Sequence, residues 1–392
     1  MSNNYDFVVS GAGLIGAITA LQLSQKGYSC CLIEKNSLPE KGSCDNFSPL
    51  SLNYRSYLIL KNYGLWDEIS TYAHPIEEIS LKSFNSLNRL SFNSKDIGLN
   101  VLGFVVDRRS LLSTFHKALA KRSNVKIIQN NSITNIEVSI ENEKLFTLYL
   151  ESNETLEPRF LIVSEGVDSK IKNILKIDSK IIDYSQTSYV FNAKASFKKN
   201  TAIQIFNKYG IFAGIPSDKN NFNLILSINS NYKDKIFENE SPNINLLKSI
   251  FRGYVDNLHD LSFVSKYELV TSRANEIIKD NILLLGNSSQ LLHPIGAQGF
   301  NLALRNVDDM INCILTDFSF KSLYSSIKSD RDSTFSNVDF ATNILASNKI
   351  PSRILSLVAF NLLKSSSFIK SKFMESILGI KNYPYLSIGI KE

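Results

Sequence analysis

The sequence predicts an α/β fold: a Rossmann-like domain, a mostly antiparallel β-sheet inserted into it, and a helical C-terminus. Three segments predict this fold. Residues 7–34 follow the order strand, glycine-rich turn, helix, strand; residues 181–270 alternate polar and apolar side chains; residues 282–310 return to a buried strand, a glycine-bearing loop and a helix. We expect three regions: a Rossmann-like domain of residues 1–75, 101–180 and 271–325, an inserted sheet of 76–100 and 181–270, and helices in 326–392.

The composition is that of an ordinary globular protein. The 392 residues are enough for about two domains, 43% are hydrophobic and the net charge is +6. No basic run with interleaved aromatic residues occurs, which argues against a nucleic-acid partner. The four cysteines have no metal-ligand spacing and favour a reduced, intracellular setting. No N-terminal signal segment and no apolar run of ~18–20 residues is present, so we expect a cytoplasmic protein without a metal site.

The first motif lies between two predicted strands. An apolar run at Phe7–Val9 leads into Gly11, Gly13 and Gly16, and a helical pattern then continues to a second strand that ends on Glu34. This order is the dinucleotide-binding fingerprint in its required context. Gly11 permits a tight turn, Gly13 lets a pyrophosphate approach the backbone, and Gly16 permits close packing of helix on strand. Glu34 is placed to accept hydrogen bonds from a ribose.

The second motif follows the apolar run 282–285. A strand, a glycine-bearing loop and a helix start direct unpaired backbone N–H groups at whatever lies above the loop. The residues are Gly286-Asn287-Ser288-Ser289-Gln290, then His293-Pro294, then Gly296-Ala297-Gln298-Gly299-Phe300-Asn301. They resemble the second FAD motif of class A flavoprotein monooxygenases, G-D-A-A-H-x-x-x-P-x-x-G-Q-G-x-N. The sequence of this motif is most similar to that of the ubiquinone-biosynthesis hydroxylases, a branch of the family in which Asn can replace the Asp.

Two further segments match this family in part. Residues 105–112 resemble its V-V-x-N-R-x-x-L helix start, where Arg109 matches and Arg108 replaces the amide. The resemblance implies that these arginines neutralise the pyrophosphate, although a solvated charge at a helix start explains each equally well. Residues 161–172 resemble the third motif, A-D-G-x-x-S-x-V-R, with Glu165 in place of Asp and Lys172 in place of Arg.

One expected contact is missing from the sequence. The family carries D-x-R-x-x-A-L where residues 45–51 stand, and Asp45 fits this pattern while Phe47 replaces the arginine.

The inserted block, with predicted strands at 202–206, 211–215 and 222–228, would cover the flavin and form a substrate cavity.

The C-terminal region is basic and amphipathic. Leu355, Val358, Ala359, Leu362 and Leu363 follow helical spacing, and residues 350–392 contain six Lys or Arg and two Glu. Such a helix either lies on an anionic membrane or covers its own domain, and both readings stay open. The location predicted is therefore cytoplasmic, with contact to the inner membrane or to a ubiquinone-synthesis complex as the open alternative.

The resemblance implies an FAD-dependent monooxygenase that uses NAD(P)H and O₂ to hydroxylate a polyprenylated phenol. The backbone N–H groups of Phe300 and Asn301 would stabilise negative charge on reduced flavin. Asn287 and Gly299 would contact the cofactor. We assign the catalytic loop to His293, Pro294 and Gly296, in which His293 belongs to the motif and need not act as a base.

Two rival functions remain open. The single tryptophan, Trp66, excludes the W-x-W-x-I-P motif of flavin halogenases, which leaves an ene-reductase as the rival flavoenzyme. A non-catalytic, FAD-bound scaffold of a quinone-synthesis complex is the rival from another class, suggested by the departures at Phe47, Glu165 and Asn287. No second G-x-G-x-x-G occurs, so NAD(P)H would bind without a Rossmann domain of its own.

Overall fold

The computed structural model describes residues 4–38, 47–82, 89–138, 146–217, 221–316, 320–342 and 350–380. The predicted fold class is confirmed: a parallel sheet flanked by helices is joined to a large antiparallel sheet, and the chain ends in helices. Asp45 and residues 218–220, which connect the predicted strands at 211–215 and 222–228, lie outside the described residues.

The strands are β1 (Asn4–Ser10), β2 (Cys30–Glu34), β3 (Pro49–Asn53), β4 (His74–Ile76), β5 (Glu78–Lys82), β6 (Arg89–Asn93), β7 (Gly103–Asp107), β8 (Val125–Gln129), β9 (Ile133–Val138), β10 (Phe146–Leu150), β11 (Thr155–Val163), β12 (Ser179–Phe197), β13 (Thr201–Asn207), β14 (Gly210–Pro216), β15 (Asn221–Asn229), β16 (Phe237–Glu238), β17 (Ser241–Pro242), β18 (Val255–Ala274), β19 (Ile278–Lys279), β20 (Ile282–Leu284) and β21 (Gln290–Leu291). The helices are α1 (Leu14–Gln25), α2 (Tyr54–Asn62), α3 (Trp66–Ser70), α4 (Arg108–Leu119), α5 (Lys170–Ile174), α6 (Lys233–Ile236), α7 (Ile244–Ile250), α8 (Gln298–Thr316), α9 (Phe320–Phe340), α10 (Ile350–Ser365) and α11 (Ser367–Ile377).

The parallel sheet has the order β20-β11-β1-β2-β8. Its strands are short apolar runs because both faces are covered. On one face, Val9 and Leu32 pack in a core with residues of α1, α4 and α8. On the other, Val8 and Ile33 pack against β9 and β10, which continue antiparallel from β11. The sequence did not single out β9, whose strand is half exposed.

The antiparallel sheet has the order β21-β18-β12-β15-β14-β13-β5-β6. The three predicted strands are confirmed as β13, β14 and β15, and their apolar residues form a second core with α6 and α7. The two longest strands, β12 and β18, were not predicted as units. Their pairing shifts register at several points, and each shift breaks the two-residue alternation on which a sequence reading depends.

The predicted domain boundaries at 180/181 and 270/271 fall inside β12 and β18, which run without interruption from one sheet region to the other. The division into domains therefore stays a prediction of organisation along the chain. The described part of residues 36–75 contains more than one element. A strand, β3, precedes α2, and Gly64, with φ +71°, ends the helical path before α3.

The C-terminal helices cover the antiparallel sheet at its β5–β6 end. Phe360 of α10 and Met374 of α11 pack with Leu90 and Phe92 of β6. The predicted apolar face of α10 is divided, because Phe360 is buried whereas Val358 and Leu362 are 47% and 50% exposed. In the described part of the chain, no helix is both long and apolar enough to cross a membrane.

The closest packing in the parallel sheet domain generates a stability prediction. A Cβ atom on Gly16 would lie 1.7 Å from the Gly11 carbonyl oxygen, whereas one on Gly13 would have no atom within 4 Å. We expect Gly16→Ala to lower the free energy of unfolding by about 3 kcal/mol, because overpacking forces the backbone apart. Gly13→Ala, at the same helix start, is the control and should change it by less than about 1 kcal/mol. Urea unfolding of the FAD-free proteins measures both, and equal midpoints would contradict the packing argument.

Candidate active site

The glycine-rich loop joins β1 to α1 and is closed on its inner side. Gly11 has φ +97°, and a Cβ atom there would lie 2.6 Å from the Ser164 carbonyl oxygen. Gly13 is different, because the space beside it is open. Gly13 is also the N-cap of α1 and supplies no side-chain hydrogen bond. The first N–H groups of α1 are therefore left for an anionic group from outside the chain.

Two side chains fix the backbone of this loop at Ala12. The Ala12 N–H donates to Glu34 Oε2 at 2.8 Å, and the other carboxylate oxygen of Glu34 accepts from the Asn36 N–H at 3.1 Å. His116 Nε2 lies 2.9 Å from the Ala12 carbonyl oxygen. A carboxylate has about four acceptor positions, so Glu34 retains acceptor capacity for the ribose hydroxyls. His116 could not be predicted from the sequence, because nothing in its spacing connects α4 with the loop.

Open positions lie along the carboxyl edge of the parallel sheet. Gly13 follows β1, Gly166 follows β11 and the exposed Asn287 follows β20, and these three strands are neighbours in the sheet. Nothing lies within 4 Å of a Cβ built on Gly166, or on Gly299 in the first turn of α8. The carboxyl edge of an open parallel sheet is where dinucleotides bind, and these positions leave space for an extended ligand along it.

The third motif is tied to the first by hydrogen bonds. Glu165 Oε1 accepts from Ser10 Oγ at 2.6 Å, and its Oε2 accepts from Ser169 Oγ at 2.7 Å. The extra methylene of Glu relative to the family's Asp gives it this reach. Lys172 is buried, which lowers the pKa of its ammonium group.

Asn301 uses its side chain within the protein. Its Oδ1 accepts from the Asn53 N–H and from Ser56 Oγ, and its Nδ2 donates to the carbonyl oxygens of Ser51 and Ala297, all within 3.0 Å. Its four hydrogen bonds fix the start of α8 against β3 and α2. In the first turn of α8, the backbone N–H groups of Gln298, Gly299 and Phe300 have no acceptor inside the helix, whereas the Asn301 N–H is the first that can pair within it.

Residues 293–297, which we call the 293–297 loop, turn sharply before α8. Gly296 has φ +67° and Ala297 has φ +52°, both in the left-handed region. The family motif has glycine at the position of Ala297, so this chain places a methyl group where the backbone conformation costs about 1–2 kcal/mol for an L-residue. The Ala297 N–H donates to the Pro294 carbonyl oxygen at 2.9 Å. This hydrogen bond closes the turn that the two left-handed residues form.

His293 is 1% exposed and is a neutral hydrogen-bond donor. Its Nδ1 accepts from the Ile295 N–H at 3.2 Å, so Nε2 carries the proton and donates to Gln186 Oε1 at 3.0 Å. Burial lowers the pKa of the imidazole to about 4. These contacts suit a residue that positions the loop and give no support to a general-base role.

An apolar cavity of about 300 Å³ opens beside the 293–297 loop. It lies between the antiparallel sheet, the start of α8 and the C-terminal helices. The antiparallel sheet contributes Ile79, Leu81, Leu90, Phe92, Ala202, Ile203, Phe206, Ile211, Ala213, Ile215 and Ile225, and β4, which pairs with β7, contributes Ile76. The C-terminal helices and the residues directly after them contribute Val338, Phe340, Ala341, Ala359, Phe360, Leu363, Phe373, Met374, Ile377 and Leu378. His293, Pro294, Gly296, Gln298 and Asn301 complete it on the loop side. Of the aromatic residues on β13 and β14, Phe206 lines the cavity, while Phe212 is fully buried in the sheet core.

The remaining predicted contacts are less defined. Arg108 and Arg109 are both exposed in the first turn of α4, and their role at a pyrophosphate stays a prediction. Phe47 packs in an apolar cluster with Ile76 and Val105, so the residue that replaces the family's arginine has an apolar role here.

No group of three His, Cys, Asp or Glu that could hold a metal ion occurs within the residues that the structure covers.

Comparison with known proteins identifies the family of this chain and its cofactor. Residues 4–315 match the family described as FAD binding domain. The chain is 24% identical to the ubiquinone hydroxylase UbiM of Neisseria meningitidis, over 80% of this chain and 69% of that protein. It is 20% identical to the 3-demethoxyubiquinol 3-hydroxylase of Escherichia coli, over 82% of each.

A solved structure gives the same fold. The p-nitrophenol 4-monooxygenase PnpA of Pseudomonas putida superimposes with a TM-score of 0.77, at 14% identity, over 98% of this chain and 100% of that chain. The predicted resemblance to the ubiquinone-biosynthesis hydroxylases is confirmed by the two relatives. The open side of Gly13, the unpaired first turns of α1 and α8 and the family match agree: the chain belongs to the FAD binding domain family, and FAD is its cofactor.

Proposed function

We propose that this protein is an FAD-dependent monooxygenase that hydroxylates a polyprenylated phenol in ubiquinone biosynthesis. In the overall reaction NAD(P)H supplies two electrons, one atom of O₂ enters the phenol ring as a hydroxyl group, and the other leaves as water. FAD supplies the redox and oxygen chemistry when it is bound. The names of the relatives support the class of reaction and of substrate.

The chain's own residues orient and shield the reacting groups. The backbone N–H groups in the first turn of α8, among them that of Phe300, lie at the positive end of the helix dipole, which suits negative charge on the flavin ring. Pro294 and Gly296, in the 293–297 loop, limit what can approach the oxygen-reactive side. Asn287, exposed after β20, can donate or accept a hydrogen bond beside the cofactor without adding a charge.

The observation that carries the substrate proposal is the cavity beside the 293–297 loop. Most of its lining residues are aliphatic or aromatic. Polar side chains line it on the loop side, and a few others come from the sheet and from α9 and α11: Gln204, Ser227, Thr334, Asn337 and Ser376. A phenol can therefore place its ring near the loop while an apolar substituent extends toward α9 and α10. Each CH₂ of a prenyl tail contributes about 0.8 kcal/mol on burial, so the tail provides binding energy that can orient the ring.

A substitution at Gly13 tests the cofactor site. Gly13→Val should fill the open side of the glycine-rich loop with methyl groups and exclude the pyrophosphate. We expect a correctly folded protein with less than about a tenth of the wild-type flavin content, because a lost backbone–phosphate contact costs more than 1.4 kcal/mol. Absorbance at 450 nm per protein measures flavin, and circular dichroism confirms folding. A yellow Gly13→Val protein would contradict this placement of FAD.

The substrate is tested by complementation. The chain is expressed in a ubiquinone-making bacterium that lacks a ring hydroxylase, and quinone intermediates are measured by mass spectrometry. Restored ubiquinone is expected, together with NAD(P)H oxidation coupled to product in vitro. Phenols with one prenyl unit should lose turnover as well as affinity, since tail binding helps to orient the ring. Accumulation of the phenol despite folded, FAD-loaded protein would favour the scaffold alternative.

We further propose that the protein works in the cytoplasm on the surface of the inner membrane, where a prenylated phenol is found. Val358 and Leu362 lie one turn apart on α10 and are half exposed, and Phe368 of α11 is 70% exposed. Residues 350–380 contain four Lys or Arg and one Glu. An exposed apolar face with a basic excess suits an anionic membrane, and the cavity lining of Ala359 and Leu363 lies on the same helix.

Charged substitutions on α10 test this surface. Val358→Asp combined with Leu362→Asp should reduce binding to vesicles of phosphatidylethanolamine and phosphatidylglycerol by about tenfold or more, since each apolar side chain contributes ~1.5–3 kcal/mol on burial. Ile181→Asp is the matched control, because Ile181 is 64% exposed on β12. Cosedimentation measures binding, and equal binding of all three proteins would exclude α10 as the membrane contact.

A further inference from the structure

One buried polar chain connects the antiparallel sheet with the loop at the cofactor site. It begins at Asn229 of β15, whose Oδ1 accepts from Gln186 Nε2 at 2.6 Å. Gln186 Oε1 accepts from His293 Nε2 at 3.0 Å, and His293 Nδ1 accepts from the Ile295 N–H at 3.2 Å. Each amide and imidazole atom in the chain has one defined role as donor or acceptor. The chain therefore specifies a single orientation for every member.

The strand is distorted where it supplies this contact. Ser185 has φ +51°, and the pairing of β12 with β18 shifts register between Asp183 and Thr187. A bulge re-aims the side chains that follow it. Gln186 is 6% exposed, so its amide is directed inward instead of to solvent. A buried glutamine at a bulge has a cost in backbone conformation and in desolvation, which a purely structural strand would avoid.

The far end of the chain is the 293–297 loop. Two consecutive residues of this loop, Gly296 and Ala297, are in the left-handed region. Backbone held in this region persists only when its surroundings fix it. Asn301 fixes the loop from the α8 side through the Ala297 carbonyl oxygen. His293 fixes it from the other side, through the Ile295 N–H.

We propose that Gln186 is a positioning residue for the cofactor-facing loop: through His293 it fixes the backbone of residues 293–297 from the antiparallel sheet that forms the substrate cavity. This inference rests on the proposed function for its consequence in catalysis. The structural part of the inference, that Gln186 fixes the loop through His293, does not depend on the proposed function. When the contact is lost, the loop samples other shapes, water reaches the oxygen-reactive side of the flavin, and reducing equivalents from NAD(P)H leave as hydrogen peroxide instead of entering product.

The first test removes the acceptor. Gln186→Leu keeps the approximate volume and leaves the buried His293 Nε2–H without a partner. In the FAD-loaded, full-length protein, amide hydrogen exchange of residues 295–299 should become at least about tenfold faster, and hydrogen peroxide released per NAD(P)H oxidised should rise about threefold or more. Val190→Ala is the matched control, because it removes buried methyl groups from the same strand without touching the loop.

The second test restores the acceptor with a charge. Gln186→Glu can still accept from His293 Nε2, and Asn229 can turn its amide to donate. At pH 8 loop exchange should be within about twofold of wild type. Near pH 5.5 the carboxylate should draw a proton onto His293, remove the Nδ1 acceptor of the Ile295 N–H and release the loop. Among the described residues, two other ionisable groups lie next to this contact: Tyr184, whose ring centroid is 4.9 Å from that of His293, and Asp339, which accepts from the Tyr184 hydroxyl. The wild type contains both groups, so it should show no such pH step after correction for intrinsic exchange.

The outcomes separate the two proposals. Faster loop exchange in Gln186→Leu but not in Val190→Ala, with a pH step only in Gln186→Glu, supports the positioning role. Wild-type exchange in Gln186→Leu, or equal acceleration in both variants, overturns it. If the wild-type enzyme oxidises no NAD(P)H with any prenylated phenol, the proposed function fails, while the exchange measurements still decide the role of Gln186.

Discussion

The close approach of the glycine-rich loop to the end of β11 is the constraint on which the rest of the cofactor site depends. Gly11 and Gly16 have no room for a Cβ atom, and Ser164 Oγ lies 2.9 Å from the carbonyl oxygens of Ser10 and Gly11. With α1 seated this closely, the space beside Gly13 is the side of the loop that stays open. The carboxyl edge of the sheet then offers one continuous path, from Gly13 past Gly166 to Asn287, for a dinucleotide.

The helix that completes this path is fixed by buried polar contacts instead of apolar packing alone. Arg55 of α2 pairs with Asp308 of α8 at 2.7 Å, and Asp308 also accepts from the Tyr63 hydroxyl at 3.1 Å. Burial raises the pKa of Asp308, while the Arg55 guanidinium acts in the opposite direction. Buried pairs contribute little net stability, yet removal of one partner costs ~3–5 kcal/mol. Their effect is to select one position for α8, which sets the direction of its first turn.

The sequence predicted those parts of the fold and of the site that depend on a local pattern of residues. The glycine-rich loop, the strand before Gly286 and the strands β13 to β15 each show a period or a motif within about ten residues, and the fold class followed from their order. The contacts of His116, Gln186 and Asn53 could not be predicted, because each joins residues far apart in sequence. The long strands β12 and β18 were obscured by their own bulges. The divided apolar face of α10 was invisible for another reason: spacing shows that a helix has an apolar side, not which part of that side is covered.

The 293–297 loop depends both on a local sequence motif and on contacts with residues far away in the sequence. Its motif is local, but its shape is set from both sides, by Asn301 through β3 and α2 and by His293 through β12. Because β12 belongs to the sheet that forms the cavity, the cavity and the cofactor loop share one scaffold. His293 has to stay neutral for this, since protonation would convert its Nδ1 from acceptor to donor. The pKa of His293 falls from 6.5 to about 4 on burial. The folded state therefore excludes a proton that the unfolded chain binds below pH ~6.5, and this contact destabilises the folded state progressively as pH falls from there toward 4. Above pH ~6.5 the loop and the cavity remain coupled at no electrostatic cost.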